Sequence, residues 1–509
     1  MRFKKPLNLL LKEAAETGAG TLKRTLGAGN LVALGIGAII GAGLFVRTAA
    51  AAADHAGPSV TLAFILAAIG CALAGLCYAE FAAMIPIAGS AYTYSYATMG
   101  EVVAWVIGWD LVLEYAVGAA TVSIAWSEYL NKLLQNFGMS IPYAYCHSPF
   151  EPSMNGAHGI INLPALFIIV LLSLVLIRGT KESALVNGVI VIVKVAIVIL
   201  FICIGWGFMN PANHTPYIPP NVGEQAMIHG QKSFLEYFTN DFGKFGWSGI
   251  VSAAGVVFFA FIGFDAVSTA AQEAKNPKKD MPIGILVSLA ICTVLYVLFG
   301  HVLTGVANYK EFAVAGKEAS VAYAIDTYMH NYHWLSVLVT VAILGGFSSV
   351  ILVMLLGQSR VFFSMSKDGL IPPVFSAVHP KFQTPYKSNL IFIVFVGVFA
   401  AFVPGDVVGN MTSIGTLFAF VLVCIGVMVM RKSDPTTPRP FRTPWVPFVP
   451  ILGAIVCLLM MLGLGKDNWL RLIIWMAVGF VIYFLYSKKH SLIRKGIVYL
   501  PKDPPKPEL

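Results

Sequence analysis

Charged residues are scarce in this chain: Asp, Glu, Lys and Arg make up 12% of its 509 residues, whereas 57% are hydrophobic. Soluble globular proteins carry about 25% charged residues, so the scarcity argues against that class. A soluble protein with an unusually apolar core is the alternative, but apolar runs of roughly 20 residues, the length that crosses a bilayer, recur along the chain. The mean hydropathy of +0.77 also favours a membrane protein. The composition therefore predicts an all-α, polytopic membrane protein.

Motifs of catalysis and metal binding are also missing. The seven cysteines include no CxxC pair, so neither a zinc site nor a disulfide framework is indicated. HExxH, GxSxG and Walker A sequences are absent, as is the selectivity-filter loop of a channel. The net charge of +9 lies in short basic blocks between apolar runs, which is typical of membrane topology. The sequence thus predicts no enzyme, no cofactor, no metal and no nucleic-acid partner.

The apolar runs number twelve, and the basic residues between them orient the chain. With both termini inside, 25 of the 34 lysines and arginines lie in inner segments, eight lie outside, and Lys194 lies within a span. Because positive residues favour the cytoplasmic side, both termini are predicted in the cytoplasm of a plasma-membrane protein. The stretch AYTYSY at the entry of the third span (Tyr92, Tyr94, Tyr96) is interpreted as an interfacial aromatic belt.

Glycine is frequent in two of the apolar runs. The first span contains GIGAIIGAGLF at 35–45, and the sixth contains FFAFIGFDAVSTAAQE at 258–273. Glycine-interrupted spans in matching halves indicate a transporter site, because unwound backbone survives in lipid only where it lines a cavity or binds a ligand. The freed N–H end attracts a carboxylate, and the freed C=O end attracts an ammonium group. Close helix packing through Gly37 and Gly41 is the alternative interpretation.

Several motifs together carry a resemblance to a known family. They are GIGAIIGAGLF (35–45), GSAYTYSYATMGE (89–101), WDLVLEY (109–115), FIGFDAVSTAAQEAKNP (261–277) and RVFFSMSKDGLIPPVF (360–375). Over nearly the whole chain, the sequence resembles the amino acid–polyamine–organocation (APC) transporter superfamily, most closely the bacterial branch of the cationic amino acid transporter family. The resemblance implies alternating access in a five-plus-five inverted-repeat fold of 12 transmembrane helices, with helices 1 and 6 discontinuous.

The same resemblance divides the chain into segments. None of the loops is long enough to form a separate soluble domain. The segments are a cytoplasmic N-terminal segment, a first inverted repeat, a second inverted repeat, two additional helices and a cytoplasmic tail, at residues 1–29, 30–208, 247–430, 446–486 and 487–509.

Carried onto this sequence, the resemblance implies a substrate site at the two breaks. The substrate carboxylate would meet the backbone N–H groups of Ala42, Gly43 and Leu44. The substrate amino group would meet the carbonyls of Ile39 and Ile40. Carbonyls of the sixth span would complete the amine site, those of Phe259, Ala260 and Ile262. Many relatives carry Ser or Thr where this chain has Ala42, so a hydroxyl contact to the carboxylate is lost.

Charged residues inside the spans are candidates for ion coupling, since a buried charge is costly in a membrane. Lys194 lies about 9 Å into the fifth span, and snorkelling of its side chain is one interpretation. The resemblance implies another: the Lys194 ammonium replaces the sodium ion that related carriers bind beside a pair matching Ser348 and Ser349, and its proton exchange couples transport. Glu114, one turn after Asp110, is too deep to reach the surface and is predicted to line the pathway or relay a proton.

Two further acidic residues receive simpler interpretations. Asp265 follows the second break, where it either hydrogen-bonds the freed helix end or gates the inner path. Glu80, near the inner end of the second span, is predicted to be a structural partner of a basic loop.

The predicted function is a secondary active transporter that imports L-amino acids, with protons as the coupling ion. An exchanger, a sodium-coupled carrier and a sensor that binds an amino acid without moving it stay open as alternatives. The residues do not distinguish cationic from small neutral substrates. The expected partners are the amino acid, protons and membrane lipid, and a small single-helix accessory subunit stays open as well.

Overall fold

A computed structural model of the chain describes residues 3–6, 10, 26–85, 89–151, 156–178, 183–221, 243–269, 271, 274–313, 320–380, 382 and 384–496. These residues form helices and connecting loops, and they contain no β-strand beyond one isolated bridge between Leu26 and Ala274. In chain order, the α-helices of four or more described residues are α1 (Ala28–Ile39), α2 (Thr48–Ala51), α3 (Val60–Met84), α4 (Ser90–Thr98), α5 (Glu101–Val112), α6 (Gly118–Gln135), α7 (Leu163–Arg178), α8 (Ser183–Gly205), α9 (Gly246–Val257), α10 (Ala266–Thr269), α11 (Pro277–Val306), α12 (Ser320–Tyr328), α13 (His333–Lys367), α14 (Tyr386–Phe402), α15 (Gly405–Ser433), α16 (Phe448–Gly463) and α17 (Lys466–Ile482).

The helices have the length and composition of a membrane protein. In the described part of the chain, eight helical stretches are long and apolar enough to cross a bilayer, and four shorter apolar helices accompany them (α1, α7, α14 and α16). Large apolar side chains such as Ile192, Val294 and Leu485 remain more than half exposed on the outer helices, as expected of surfaces that face lipid. The all-helical class is confirmed, whereas the count of 12 spans and the five-plus-five repeat stay predictions.

The first glycine-rich run is interrupted between α1 and α2. α1 ends at Ile39 because Ile40 adopts an extended backbone, with φ −73° and ψ 104°. Hydrogen bonding resumes when the N–H groups of Leu44 and Phe45 donate to the Gly41 carbonyl, at 3.1 and 3.4 Å. A π-helical segment, Gly43–Arg47, then leads into α2. Residues 40–42 therefore form a break inside an otherwise continuous apolar run.

The second run is interrupted between α9 and α10. After α9 the chain tightens into a 3₁₀ turn at Phe258–Phe261, and Ile262 then turns to extended backbone with φ −59° and ψ 136°. Gly263 follows with φ +108°, a conformation that only glycine adopts readily. A Cβ on Gly263 would also lie 3.0 Å from the Ala38 carbonyl oxygen. The sharp turn at this glycine brings the second break against the end of α1.

The tyrosines of α4 do not form the predicted interfacial belt. Tyr92, Tyr94 and Tyr96 are each at most 1% exposed. Tyr94 stacks on Phe81 with 5.3 Å between the ring centroids, and the Tyr92 hydroxyl donates to Asp368 at 2.7 Å. The prediction is wrong because α4 packs inside the protein, where alternating tyrosines fill space between helices and do not anchor them in lipid headgroups.

Glu80 is the structural partner that the sequence predicts. Its carboxylate accepts two hydrogen bonds from the Arg431 guanidinium, at 3.0 and 2.8 Å. It also accepts the Thr443 N–H at 2.8 Å, and Arg439 lies within 3.3 Å. Because Glu80 lies on α3, these bonds hold the basic loop after α15 against that helix.

The described residues near both chain ends meet on one face of the protein, here termed the terminal face. The Lys5 ammonium lies 3.2 Å from the carboxylate of Asp368. The buried carboxylate of Glu101, the first residue of α5, accepts from Arg494 at 2.6 Å and from the Tyr483 hydroxyl at 2.8 Å. These contacts tie the N-terminal and C-terminal segments across the ends of α5 and α13 and close the structure there.

Candidate substrate and coupling site

Lys194 on α8 is bonded directly to the break in the first apolar run. Its Nζ donates to the carbonyl oxygens of Gly37 and Ile40, at 3.0 and 3.1 Å. The residue is 2% exposed, and Gly346 of α13 leaves room for its stem, since a Cβ there would lie 2.7 Å from Lys194 Cε. The snorkelling interpretation is therefore wrong, because the ammonium satisfies carbonyls of a freed helix end inside the protein.

Tyr296 on α11 connects the two breaks. Its hydroxyl lies 2.9 Å from the carbonyl oxygens of both Ile39 and Ala260. A single hydroxyl proton bonds one of these oxygens at a time, so the tyrosine joins the end of α1 to the 3₁₀ turn after α9. Two of the carbonyls predicted to receive a substrate amine therefore share one protein donor.

Gly43 marks the closest approach of the two breaks. A Cβ on Gly43 would lie 2.2 Å from Ala260 Cα and 2.5 Å from the Ala260 backbone nitrogen, which only glycine allows. Of the three N–H groups predicted to meet the substrate carboxylate, that of Leu44 already donates to the Gly41 carbonyl at 3.1 Å. Those of Ala42 and Gly43 lie ahead of the first bonds that restart the helix. First-turn N–H groups have no intrahelical acceptor, so this end is chemically suited to a carboxylate.

The other predicted carbonyl ligands lie in the second break. The Phe259 carbonyl accepts the N–H of Ile262 at 3.3 Å, which closes the 3₁₀ turn. Ile262 itself is 1% exposed and directly precedes Gly263. All eight predicted substrate-site residues thus belong to the two interrupted segments, which touch at Gly43 and Ala260.

A cluster of acidic side chains lies beside the second break. Glu114 sits in a π-helical segment, Leu113–Val117, a distortion often found at functional sites. The carboxyl groups of Glu114 and Asp265 are close enough to interact electrostatically, and both Glu114 oxygens and one Asp265 oxygen are buried without a hydrogen-bond partner. The Tyr115 hydroxyl donates to Asp265 at 2.7 Å. The Ala266 N–H at the start of α10 donates to the Gly263 carbonyl at 3.1 Å, and the Asp265 carboxylate lies beside it. This position fits the interpretation of Asp265 as a partner of the freed helix end.

Comparison with known proteins decides the family. A family model described as amino acid permease matches residues 26–492. The chain belongs to the amino acid permease family. The match spans both breaks, Lys194 and the acidic cluster, and it confirms the APC superfamily to which the motifs pointed.

Individual relatives agree on transport but differ in cargo. The permease is 42% identical over 482 residues to the branched-chain amino acid permease BcaP of Bacillus subtilis (strain 168), which covers 95% of this chain and 97% of the relative. It is also 42% identical over 492 residues to the methylthioribose transporter of the same organism, covering 97% and 99%. Cationic amino acid transporter 9, chloroplastic, of Arabidopsis thaliana is 35% identical over 95% of this chain and 79% of its own. These names support amino acid transport and point away from an enzyme.

The predicted serine pair lies on the helix that packs against Lys194. The Ser348 hydroxyl donates to the Leu344 carbonyl of the same helix, α13, at 2.9 Å, and Ser349 is the next residue. Gly346 lies half a turn earlier and contacts the Lys194 stem. The lysine, the α1 carbonyls and this part of α13 thus lie together in the permease.

Sequence reasoning missed two residues of the site. Tyr296 and Gly346 received no role, although both lie in apolar runs, ICTVLYVLFG and VAILGGFSSV. A polar hydroxyl in the middle of a membrane span is a recognisable signal, because it must find a partner there. A glycine that makes room for a distant lysine carries no such signal in one sequence.

Proposed function

We propose that this permease is a proton-coupled secondary transporter that imports neutral branched-chain L-amino acids by alternating access. The observation that carries the proposal is the Lys194 ammonium, which bonds the Gly37 and Ile40 carbonyls at the break in the first span. A monovalent cation at this point would use the same oxygens. The name of the Bacillus subtilis branched-chain permease supports a neutral cargo.

The coupling step follows from the bonds of Lys194. While protonated, the ammonium holds the end of α1 toward α8 and, through Gly346, toward α13. When the proton leaves, the amine loses its charge, so its hold on both carbonyls weakens and α1 is freed to move. A membrane-buried lysine that gains and loses a proton in each cycle would thus link the proton gradient to the movement of the break.

The acidic cluster would carry the second protonation event. The carboxyl groups of Glu114 and Asp265 interact between the π-helical segment after α5 and the second break, and in the proposed cycle they share one proton. Loss of that proton leaves two negative charges side by side, which repel and would drive α10 away from α5. Protonation would therefore favour the arrangement in which α10 stays beside the end of α5.

Substitution of Glu114 by glutamine tests this part of the proposal. We expect uptake driven by a pH gradient to fall at least about tenfold, because glutamine keeps the shape but cannot release a proton. Exchange of labelled for unlabelled substrate without a gradient should continue at a similar rate. Glu311→Gln is the matched control, since Glu311 accepts from the Tyr323 hydroxyl at 3.1 Å and belongs neither to the breaks nor to the acidic cluster. Undiminished stimulation by the gradient in the Glu114 variant would rule out a coupling role.

The proposal includes the topology that the basic residues predict. Twelve spans in two inverted five-helix repeats, with two further helices, would place both termini in the cytoplasm of a plasma-membrane protein. Labelling of single cysteines with an impermeant reagent on intact cells tests this arrangement, in a variant whose seven native cysteines are replaced. One cysteine is introduced into the loop after α6, within 136–160, and another into the C-terminal tail. Only the loop should react before the membrane is opened.

Methylthioribose is a second candidate cargo. The methylthioribose transporter of Bacillus subtilis is 42% identical to this chain, as is the branched-chain amino acid permease of that organism. In this permease the Ile40 carbonyl accepts from Lys194, and the carbonyls of Ile39 and Ala260 share the Tyr296 hydroxyl. Fewer acceptors then remain for a substrate ammonium group, a loss that does not affect an uncharged thioether sugar.

One experiment separates these functions. Purified permease in proteoliposomes is offered radiolabelled leucine, isoleucine, valine, arginine and methylthioribose, each with a pH gradient, a sodium gradient or no gradient. We expect accumulation of the branched-chain amino acids with the pH gradient alone. Other results would contradict the proposal. Stimulation by sodium would indicate a sodium-coupled carrier, and uptake only against internal substrate would indicate an exchanger. Preference for arginine or methylthioribose would change the cargo, and binding without uptake would indicate a sensor.

A further inference from the structure

A cavity of about 220 Å³ opens on the side opposite the terminal face, among loops that the basic residues predict to be outside. Its wall reaches from the loops at Glu151 and Pro404 down to Ala42. That volume is smaller than the roughly 300–1,000 Å³ of sites for drug-sized ligands, so it suits a small metabolite. The cavity thus leads from the outer loops to the predicted carboxylate site at the first break.

The only cation among the described lining residues of this cavity is Arg47, at the end of the π-helical segment that follows the break. Its side chain is 5% exposed, and its Nη1 lies 2.7 Å from the Asp406 carboxylate. Its Nη2 bonds the Asn410 side-chain oxygen, whereas its buried Nε has no hydrogen-bond partner. A buried donor without a partner is costly, so the guanidinium retains a hydrogen bond to give.

The protein makes room for the guanidinium on α15. A Cβ on Gly409 would lie 3.2 Å from Arg47 Cζ and 3.3 Å from Nη1, so the planar group rests against the backbone of that helix. A longer side chain at this position would displace it. The orientation of Arg47 toward the cavity is therefore set by packing as well as by its ion pair.

The partner of Arg47 is held loosely. Asp406 is 69% exposed, whereas Arg47 is 5% exposed. Water screens the charge of a carboxylate in that position and weakens its attraction to the guanidinium. A ligand carboxylate that enters the cavity can therefore take the place of Asp406 without a large loss. The carboxylate would gain the paired N–H donors of a guanidinium, the geometry that arginine offers to carboxylates.

We propose that this cavity is an outer binding site for the α-carboxylate of an amino acid, with Arg47 as its anchor, in which the substrate rests before it reaches the breaks. The inference rests on the proposed amino acid transport. Glu128 and Glu151 line the same cavity and supply negative charge for the ammonium group. Val46, Ile124 and Ala125 supply an apolar wall for the side chain.

The site is placed to pass its ligand on. Arg47 ends the π-helical segment that begins directly after Ala42, and five residues at a helical rise of about 1.5 Å each span roughly 7–8 Å. A carboxylate that leaves the guanidinium therefore has only about the length of a small amino acid to travel before it meets the N–H groups of Ala42 and Gly43. Release from Arg47 and capture at the break form two steps along one path.

Substitution of Arg47 by glutamine tests the site, because an outer site should affect KM for leucine on the external face of the membrane but not on the inner face. Sealed right-side-out membrane vesicles containing the permease take up or release radiolabelled leucine, so that KM is measured separately from each face. We expect KM for external leucine to rise at least about tenfold, the loss of one charge-assisted bond. KM for release from the inner face should stay within about twofold. A change of equal size on both faces, or on neither, would overturn the outer site.

Probe compounds and two further variants complete the test. External 4-methyl-2-oxopentanoate, which has the carboxylate but no amine, should inhibit wild-type leucine uptake more strongly than 3-methylbutylamine, and Arg47→Gln should abolish that difference. Arg47→Lys should restore part of the affinity. Asp406→Asn should leave external KM unchanged or lower it, because it removes a competing carboxylate. If the Arg47–Asp406 ion pair serves only to stabilise the structure, Asp406→Asn should instead weaken leucine uptake as Arg47→Gln does, which would contradict the outer site.

The two proposals fail in different ways. If the wild-type permease takes up leucine normally and Arg47→Gln has an unaltered KM for external leucine, the outer site is wrong and the proposed amino acid transport stands. Absence of amino acid uptake by the wild-type permease overturns the proposed function, and the outer site with it.

Discussion

Alanine in place of Gly43 is expected to reduce transport about tenfold or more. The added methyl group would lie 2.2 Å from Ala260 Cα and 2.5 Å from its backbone nitrogen. Backbone cannot rotate away, so the two breaks would have to separate. Overpacking of this kind costs about 1–3 kcal/mol, and about 1.4 kcal/mol is tenfold in an equilibrium. Uptake of leucine into proteoliposomes, with thermal unfolding of the same preparation, measures both consequences.

Gly41 provides the matched control within the same motif. The three atoms nearest to a Cβ there all belong to the side chain of Val350, with Cγ2 at 3.2 Å, and a side chain can shift by a few tenths of an ångström. Both substitutions make the same Gly-to-Ala change in the conformational propensity of the backbone, about 1 kcal/mol, so a difference between them reports the contact at Ala260. We expect Gly41→Ala to transport within about threefold of wild type. Equal losses in both variants would show that propensity, not the close approach, governs this break.

Methionine in place of Lys194 is expected to abolish accumulation of substrate against its gradient. The substitution keeps the apolar stem and nearly the length of the side chain but leaves the Gly37 and Ile40 carbonyls without their donor. Each buried polar group left unsatisfied costs about 1–3 kcal/mol, so two correspond to at least about a thirtyfold effect. We expect uptake in a pH gradient to fall to the level without a gradient, while exchange of labelled for unlabelled substrate persists at a reduced rate.

Lys132 is the control for this substitution. It pairs with Asp326 at 2.9 Å and is 27% exposed, and surface pairs contribute about 0–1 kcal/mol. Lys132→Met should therefore leave gradient-driven uptake within about twofold of wild type. Retention of full proton-driven accumulation by Lys194→Met would show that the ammonium does not couple transport to protons.

The positions of the breaks were predictable because they depend on local chemistry. Four glycines in GIGAIIGAGLF, and Gly263 in the sixth apolar run, weaken helices where a membrane span favours leucine. The structure indeed leaves helical geometry at Ile40 and at Ile262. Lys194 was equally visible, since an uncompensated charge in an apolar run demands a partner.

Other features were not predictable from residue pattern. The stretch AYTYSY has the composition of an interfacial belt, yet all three of its tyrosines are buried. Arg47 carries no recognisable signal in the sequence, because a single arginine just outside a glycine-rich motif has the pattern of a loop residue. Its role as a buried donor depends on Asp406 and Gly409, more than 350 positions away in the chain.

By itself, the sequence determined the membrane class, the family and the two places where helices stop, since apolar run length, glycine content and motif spacing are local properties. Only the tertiary structure decided which groups meet at those places. Lys194, rather than an incoming ligand, bonds the Ile40 carbonyl, and Tyr296 bridges the two breaks. The physical reason is that a freed backbone group must be satisfied in a medium without water, and which side chain does so depends on how distant helices pack.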